Sequence, residues 1–347
     1  MAELKLRFQS HHLPLAHTFT LAHSSRTHTP ISFVQLQWGD YVGYGEAAMP
    51  PYLGESAQTA ESFFSSLDFS WVSEPIDLEK VLSYVQSYSP GNSAAKAAID
   101  IALHDLHAKR LGVPVYQLFG LNPVDAPQSS YTIGIHPLEV VHSLLPNTDP
   151  FGLIKVKLGG DHERDTIDLI RNYTDKPISV DVNQGWTQKE EALDQIYWLK
   201  ERGIVYVEQP MPKETTKEME WLSQHSPLPT IADEAVHRLS DLFELKNRFH
   251  GVNIKLMKCT GIREGYLMAK VAKSLGLKVM IGCMTESSCG IAAAAQLAPL
   301  ADWVDLDGHF LLADDPFEGL GFEDGVVQLS EQNGLGVFPK HLSWADQ

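Results

Sequence analysis

Asp181, Glu208 and Asp233 are three carboxylates spaced 27 and 25 residues apart, and a lysine stands one step outside them on each side: Lys157, 24 residues before, and Lys255, 22 residues after. Thr132 extends the series back by 25 residues, and Asp305 lies 50 residues beyond Lys255. Three carboxylates with no Cys or His among them form a hard oxygen donor set, suited to Mg²⁺ with positions left open for water or substrate. The competing account is that each acid caps the helix after it, because carboxylates favour helix N-termini. Three in register favour the metal. Glu234 is a further carboxylate beside Asp233, and Asn183, two residues after Asp181, is expected to share its strand face.

A lysine is a weak base at its free pKa, but neighbouring positive charge and burial lower that value. Lys155 shares a strand face with Lys157 and would supply such a charge, as would the metal. Two lysines on opposite sides of a central metal could remove an α-proton next to a bound carboxylate and return one to the other face. The path runs through an enediolate and inverts one carbon. The alternative is that the lysines only form structural salt bridges with the acids, which would raise their pKa and switch off base chemistry. The sequence leaves both readings open. Asp305-Leu-Asp307 is a second acidic pair, expected on one strand face and suited to a substrate ammonium group, with a loop or helix cap as the plainer reading.

The elements that must position these groups are legible in the runs around them. Gly152-Leu-Ile-Lys-Val-Lys157, Ile178-Ser-Val-Asp181, Ile204-Val-Tyr-Val-Glu208 and Val252-Asn-Ile-Lys255 are short apolar runs, each ending on a member of the series. A repeat of 22 to 27 residues accommodates a strand, a helix and two loops. A repeated βα unit with a reactive group at each strand's C-terminal end is the plan of a (β/α)8 barrel. Helices fit about 161–173, 188–202, 214–224, 240–248, 262–275 and 286–298. The barrel region falls short of the roughly 250 residues such a fold usually takes, so a final helix is absent or another part of the chain closes the structure.

The first third reads as α+β. Lys5-Leu-Arg-Phe and Ile31–Trp38 alternate like strands, and Tyr41–Glu46 is another before a Pro50-Pro51 loop. Residues 17–30 read as polar and flexible, and 56–90 as helices. Asn92 or Ser93 would cap a helix to about Lys109, with Gly112 just past its end.

Composition narrows the function classes. The chain has 347 residues, 44% hydrophobic and 20% charged, enough for a sizeable core. A net charge of −17 argues against a nucleic-acid partner. No apolar run approaches a membrane span, and no signal-peptide pattern opens the chain. Cys259, Cys283 and Cys289 form no framework, so a reducing cytoplasm is the expected location. The 15 histidines include a cluster in the N-terminal stretch without zinc-ligand spacing, which reads as ordinary surface histidine.

Taken together, Lys155-Val-Lys157, Asp181-Val-Asn-Gln, Glu208-Gln-Pro210, Asp233-Glu234 and Asn253-Ile-Lys255 resemble the enolase superfamily, in its muconate-lactonising-enzyme-like subgroup. Ala97–Leu106 and Gly112–Gly120 resemble the segment that precedes the barrel in that subgroup. The resemblance implies an α/β fold, a modified (β/α)7β TIM-type barrel with an α+β capping domain. It implies a cap over 1–125, a barrel over 126–320, and a segment 321–347 returning to the cap. Loops near 17–27 and 48–54 would close over the substrate.

By the same resemblance Asp181, Glu208 and Asp233 match Mg²⁺ ligands, Lys157 and Lys255 match acid/base lysines, and Lys155 matches the lysine that steadies the substrate carboxylate. Asp305 and Asp307 resemble the ammonium-binding pair of dipeptide epimerases, with Thr132 and Gly282-Cys283-Met284 lining the same pocket. The implied reaction is inversion at the C-terminal residue of an Ala-Xaa dipeptide, in an enzyme compatible with a homo-oligomeric state. Members acting on Ala-Glu carry an arginine in the first cap loop. An ungapped reading places Ser24 there, favouring Ala-Ala or a neutral second residue, whereas a shift of two residues brings Arg26 into play and favours Ala-Glu. N-acylamino acid racemase, o-succinylbenzoate synthase and muconate cycloisomerase are the rival activities, and a non-catalytic barrel is the rival of another class.

Overall fold

The computed structural model describes the chain apart from residues 1–2, 22–23, 75, 161, 341, 343 and 345–347, and describes 19–21 and 24 in their backbone alone. The chain opens with an antiparallel sheet of β1 (Leu4–Leu21), β2 (Ser24–Trp38) and β3 (Tyr41–Ala48). Within the stretch 17–30, expected to be flexible, residues 17–21 and 24–30 instead belong to β1 and β2, with register kept to Leu21↔Ser24 across one irregularity between Pro14 and Phe19. Its Thr and Phe residues suit a strand as well as a loop, and backbone pairing decides between them.

Helices α1 (Ala57–Ser66) and α2 (Leu78–Tyr88) follow. The expected helical span 56–90 is therefore two helices with a non-helical connection. Long α3 (Ser93–Leu111) lies across the sheet, and Gly43 and Gly45 of β3 allow its close approach. A Cβ at those positions would meet Ala102 O at 2.1 Å and Ala98 O at 1.9 Å. Asn92 does not cap α3. Its φ is 55° and its side chain makes no cap bond. Glu55 does so from a distance, accepting from Ser93 Oγ at 2.9 Å and from the Ala94 N–H at 3.2 Å. Gly112 closes the helix in the left-handed conformation, as expected. Short α4 (Val115–Leu118) leads towards the barrel.

The barrel holds eight parallel strands in chain order: β4 (Ser130–Ile133), β5 (Leu153–Lys157), β6 (Ile178–Asp181), β7 (Ile204–Glu208), β8 (Thr230–Ala232), β9 (Gly251–Lys255), β10 (Lys278–Gly282) and β11 (Trp303–Asp305). A Ser129↔Val304 bridge joins the two ends. Between strands run α5 (Leu138–Leu144), α6 (Glu163–Tyr173), α7 (Lys189–Lys200), α8 (Thr216–His225), α9 (Leu242–Leu245), α10 (Leu256–Cys259) with α11 (Ile262–Ser274), and α12 (Ser288–Ala295). This is a (β/α)7β barrel with a separate N-terminal sheet. Helix α5, which sequence periodicity missed, spans only two turns.

The remaining chain forms short pairs, β12 (Phe317–Glu318) with β15 (Phe338–Pro339) and β13 (Gly321–Glu323) with β14 (Val326–Gln328). It lies against the first units: Val115 N–H donates to Gly334 O at 3.0 Å, and Leu335 N–H to Asp105 Oδ1 at 2.8 Å. Among the described residues no helix is long and apolar enough to cross a membrane.

Two buried carboxylates of the first third tie it to barrel helices. Glu46 of β3 accepts from the Ser287 N–H at 2.9 Å, from the Gly290 N–H at 3.0 Å and from the Ser287 hydroxyl, at the start of α12. Asp100 of α3 accepts from Ile262 N–H at 2.5 Å and Arg263 N–H at 3.3 Å, at the start of α11. Both contacts satisfy helix N–H groups that would otherwise be orphaned in the interior.

Candidate active site

Strand register sets the groups on one level. Lys157 pairs with Asp181 and Asp181 with Glu208, while Lys255 and Asp305 both pair with Gly282 from its two sides. Asp181 and Glu208 are the last residues of β6 and β7, and Asp233 follows β8 directly. All three are buried, and one oxygen from each lies within 4.8 Å of the others. Carboxylates crowd this closely in a dry interior only with cations to balance them.

Four lysines supply that balance. Lys157 Nζ donates to Asp181 Oδ2 at 2.5 Å. Lys155 Nζ reaches Glu208 Oε2 at 2.7 Å, Asp181 Oδ2 at 3.4 Å and Asp305 Oδ2 at 2.7 Å. Lys255 Nζ donates to Asp233 Oδ2 at 2.8 Å, and Lys258 Nζ to Asp233 Oδ1 at 2.5 Å. None of the three acids serves as the plain helix cap that was the competing account, though Asp181 Oδ1 does accept the Asn183 N–H at 3.0 Å.

Burial raises the pKa of Asp181, but Lys157 and Lys155 outweigh it and hold the group below its usual value. Asp233 is likewise penalised by burial yet held well below the usual range by Lys255 and Lys258. Burial and the nearby Asp181 push Glu208 up to about 7. Burial works to lower Lys255, but Asp233 wins and its pKa lies well above normal. Lys155 shows the same balance, with Asp305 and Glu208 holding its proton. Lys155 and Lys255 thus keep their protons beside these carboxylates.

Asn183 does not share the strand face of Asp181, because β6 has ended. Its φ is 46°, and its amide donates to Glu234 Oε1 at 3.1 Å. Gln184 (φ 70°) and Gln209 (φ 35°) are also left-handed, so three of the strained non-glycine residues gather at the ends of β6 and β7. Gln209 Oε1 accepts the N–H groups of Asp233 at 3.0 Å and Ala235 at 3.1 Å, fixing the turn that presents the third carboxylate. Burial, then Asp233, pushes Glu234 up to about 7.

The acidic pair is built differently from expectation. Strand β11 stops at Asp305, and Asp307 stands in the turn after it. Asp305 is fully engaged: Oδ2 by Lys155, Oδ1 by Ser130 Oγ at 2.7 Å. Asp307 Oδ2 accepts the Thr132 N–H at 2.6 Å. Burial and the nearby Asp305 push Asp307 up to about 7, whereas Lys155 holds Asp305 low against the effect of burial.

One pocket gathers the lysines of β5 and β9 and the acidic pair, while Asp181, Glu208 and Asp233 are not among its lining residues. Thr132, Lys155, Lys157, Lys255, Cys283, Asp305 and Asp307 all line it. From the first third come Arg26, Pro50 and Tyr52. Arg26 sits on β2, and its Nη2 donates to Thr285 Oγ1 at 2.7 Å on the barrel side. Tyr52 OH contacts Met284 Sδ at 2.7 Å. The side chain of Ser24, the alternative to Arg26, lies outside the described residues.

Sequence reasoning missed Lys258, Ser130 and Gln209 in these roles. Asn253 had a signal, lying two residues before Lys255 on one strand, and its amide donates to Glu208 Oε1 at 2.9 Å.

A barrel lacking its last helix, with carboxylates on three consecutive strand ends between flanking lysines, defines the class of enolase-superfamily enzymes. Residues 4–120 match the mandelate racemase / muconate lactonizing enzyme N-terminal domain, and residues 144–342 the enolase C-terminal domain-like family. The chain belongs to this family.

Within it, the chain is 48% identical to the L-Ala-D/L-Glu epimerase of Bacteroides thetaiotaomicron, over 96% of this chain and 88% of that one. Its fold superposes on a substrate-liganded L-Ala-D/L-Glu epimerase from Bacillus subtilis with a TM-score of 0.92 at 27% identity, covering 99% and 100% of the two chains. The dipeptide epimerase of Enterococcus faecalis, solved with Mg and L-Leu-L-Tyr, gives 0.88 at 29% identity over 96% and 99%.

Proposed function

We propose that this enzyme is a Mg²⁺-dependent dipeptide epimerase that interconverts L-Ala-L-Glu and L-Ala-D-Glu by proton transfer between two lysines. The dipeptide class is supported by the relatives and by the acidic pair beside Thr132. Asp181, Glu208 and Asp233 are the residues that would hold the ion, and their convergent oxygens make a donor set of the kind Mg²⁺ takes. When bound, Mg²⁺ supplies positive charge beside the substrate carboxylate, favouring loss of the α-proton.

The observation that carries the glutamate assignment is Arg26, whose guanidinium lines the pocket against Thr285. A half-buried guanidinium is matched by a carboxylate side chain better than by a methyl group. The Ser24 alignment favours a neutral second residue, whereas the place of Arg26 in the pocket supports glutamate.

The chain's own residues then divide the work. Asp307 takes the substrate ammonium, with Asp305 held beside it by Lys155 and Ser130. Lys155 steadies the carboxylate of the residue that is inverted. Lys157 on β5 and Lys255 on β9 approach from opposite sides of the barrel mouth, with β6, β7 and β8 between them. One removes the α-proton and the other delivers a proton to the opposite face, which inverts the carbon. The 1–125 unit, with Arg26 and the 48–54 loop, caps the 126–320 barrel, and 321–347 returns to the cap.

An N-acylamino acid racemase or o-succinylbenzoate synthase has no ammonium to place on Asp307. Turnover of L-Ala-L-Glu with Mg²⁺, followed by appearance of the D-Glu isomer, tests the proposal; turnover of N-acylated amino acids alone overturns it.

A further inference from the structure

Beside the acidic pair a second cleft opens between the first sheet and the barrel. It measures about 350 Å³ and lies under Ala16 and His17 of β1, with Tyr131 of β4, Val140 and Leu144 of α5, and Phe310 as its walls. Thr132, Asp307 and Leu311 line both this cleft and the catalytic pocket, so the two adjoin at the acid that faces the ammonium. Its aromatic wall is braced. Phe151 lies 5.1 Å from the ring of Tyr131 and 5.9 Å from that of Phe310, and Phe322 lies 5.2 Å from Phe310. Phe310 is nevertheless 45% exposed, so part of its ring is open beside the site.

We infer that this cleft is a subsite for a bulky apolar side chain on the amino-terminal residue of the substrate. The inference rests on the dipeptide reading above. With the ammonium on Asp307, the α-carbon that carries it lies at the junction of the two spaces, and its side chain has the cleft to enter. An apolar cavity of roughly 150 Å³ already admits a benzene ring. Among the described residues that line the cleft, Asp307 is the only acid. A longer peptide would carry its ammonium into a space with no carboxylate to meet it, whereas Leu or Phe side chains meet Tyr131, Val140 and Phe310. The family resemblance implied a small residue at this position; the cleft widens that range.

The test measures kcat/KM for L-Ala-L-Glu, L-Leu-L-Glu and L-Phe-L-Glu with the wild-type enzyme and with Val140→Trp and Ser143→Trp. Both positions are exposed, line the cleft and touch none of the reacting groups. The expected result is that Leu-Glu and Phe-Glu are turned over within about tenfold of Ala-Glu. The tryptophan variants should lose tenfold or more on Phe-Glu, through KM, while Ala-Glu stays within about twofold. Turnover of Ala-Glu with none of Leu-Glu or Phe-Glu overturns the subsite and leaves the dipeptide reading intact. Turnover of Phe-Glu that both variants leave unchanged overturns its location. Failure of all three dipeptides overturns the dipeptide reading and the subsite with it.

Discussion

Lys155 Nζ stands 2.7 Å from Asp305 Oδ2 and 2.7 Å from Glu208 Oε2, so a single ammonium group joins the carboxylate cluster to the acidic pair. The two acids come from β7 and β11 and are 97 residues apart in the chain. Lys155 therefore spaces the carboxylate cluster from the acidic pair, and Asp307 is held separately by the Thr132 N–H.

That division predicts the effect of Asp307→Asn. Removing one partner of a buried charge pair costs about 2–5 kcal/mol, and 1.4 kcal/mol is a factor of ten. kcat/KM for Ala-Glu should fall about 30-fold or more, mostly through KM. A steady-state assay checks it, and a fall confined to kcat speaks against an ammonium on Asp307.

The pH dependence follows from the same residue. Asp307 must be ionised to hold the ammonium, and its pKa is pushed up to about 7 by burial and Asp305. With Mg²⁺ saturating, KM should rise as pH falls below about 7. The sign for stability is opposite. A carboxyl raised in the folded state binds its proton more tightly there than in the unfolded chain, so stability falls as pH rises from the ordinary carboxylate range to about 7. Asp307→Asn should accordingly melt above wild type at pH 8, with the two midpoints converging as pH is lowered towards 4.

Glu208 gives a separate pH effect. Burial and Asp181 push it up to about 7, and a protonated carboxyl is a poor ligand. Apparent Mg²⁺ affinity, measured by titration calorimetry without substrate, should weaken as pH falls below about 7. An affinity that is flat between pH 6 and 8 excludes Glu208 from the ion's ligands.

Specificity is tested at Arg26. Arg26→Met should lower kcat/KM for L-Ala-L-Glu by about tenfold or more, the loss of about 1.5–3 kcal/mol expected for a charge-assisted hydrogen bond. L-Ala-L-Ala and L-Ala-L-Val should change by less than about threefold. Equal losses on all three substrates indicate that Arg26 positions the hairpin instead of reading the glutamate.

A stability prediction concerns the joint between the sheet and the barrel. Asp100→Ala leaves the Ile262 and Arg263 N–H groups at the start of α11 without their acceptor, and removes the partner 3.3 Å from His104 Nδ1. Stability should drop by about 2–3 kcal/mol. Asp100→Asn keeps an acceptor and should lose less, as read from the denaturant midpoints.

Much of this site could be read from spacing because a barrel strand delivers its last residue to the mouth wherever it lies in the chain. Lys157, Asp181, Glu208 and Lys255 each end a strand, and their register in space follows their order in sequence. The residues that escaped are those that no strand end presents. Lys258 reaches Asp233 from α10, one turn after the strand, and Gln209 holds the next turn through a left-handed backbone. Glu55 caps α3 from 38 residues away, a tertiary contact that overrides the local capping signal at Asn92. The hairpin over 17–30 looked like a loop because its polar residues pair through backbone groups, which composition does not register. For the same reason Arg26 could be placed in the pocket only by the fold.

The central claim is proton exchange on both faces of one carbon by Lys157 and Lys255, and incubation of L-Ala-L-Glu and L-Ala-D-Glu in D₂O with Mg²⁺ tests it most directly. The wild-type enzyme should place deuterium on the glutamate α-carbon starting from either isomer. Lys157→Ala and Lys255→Ala should each abolish epimerisation and retain exchange from one isomer only, a different isomer for each variant. No deuterium with the wild-type enzyme, or epimerisation that survives both single substitutions, contradicts the account.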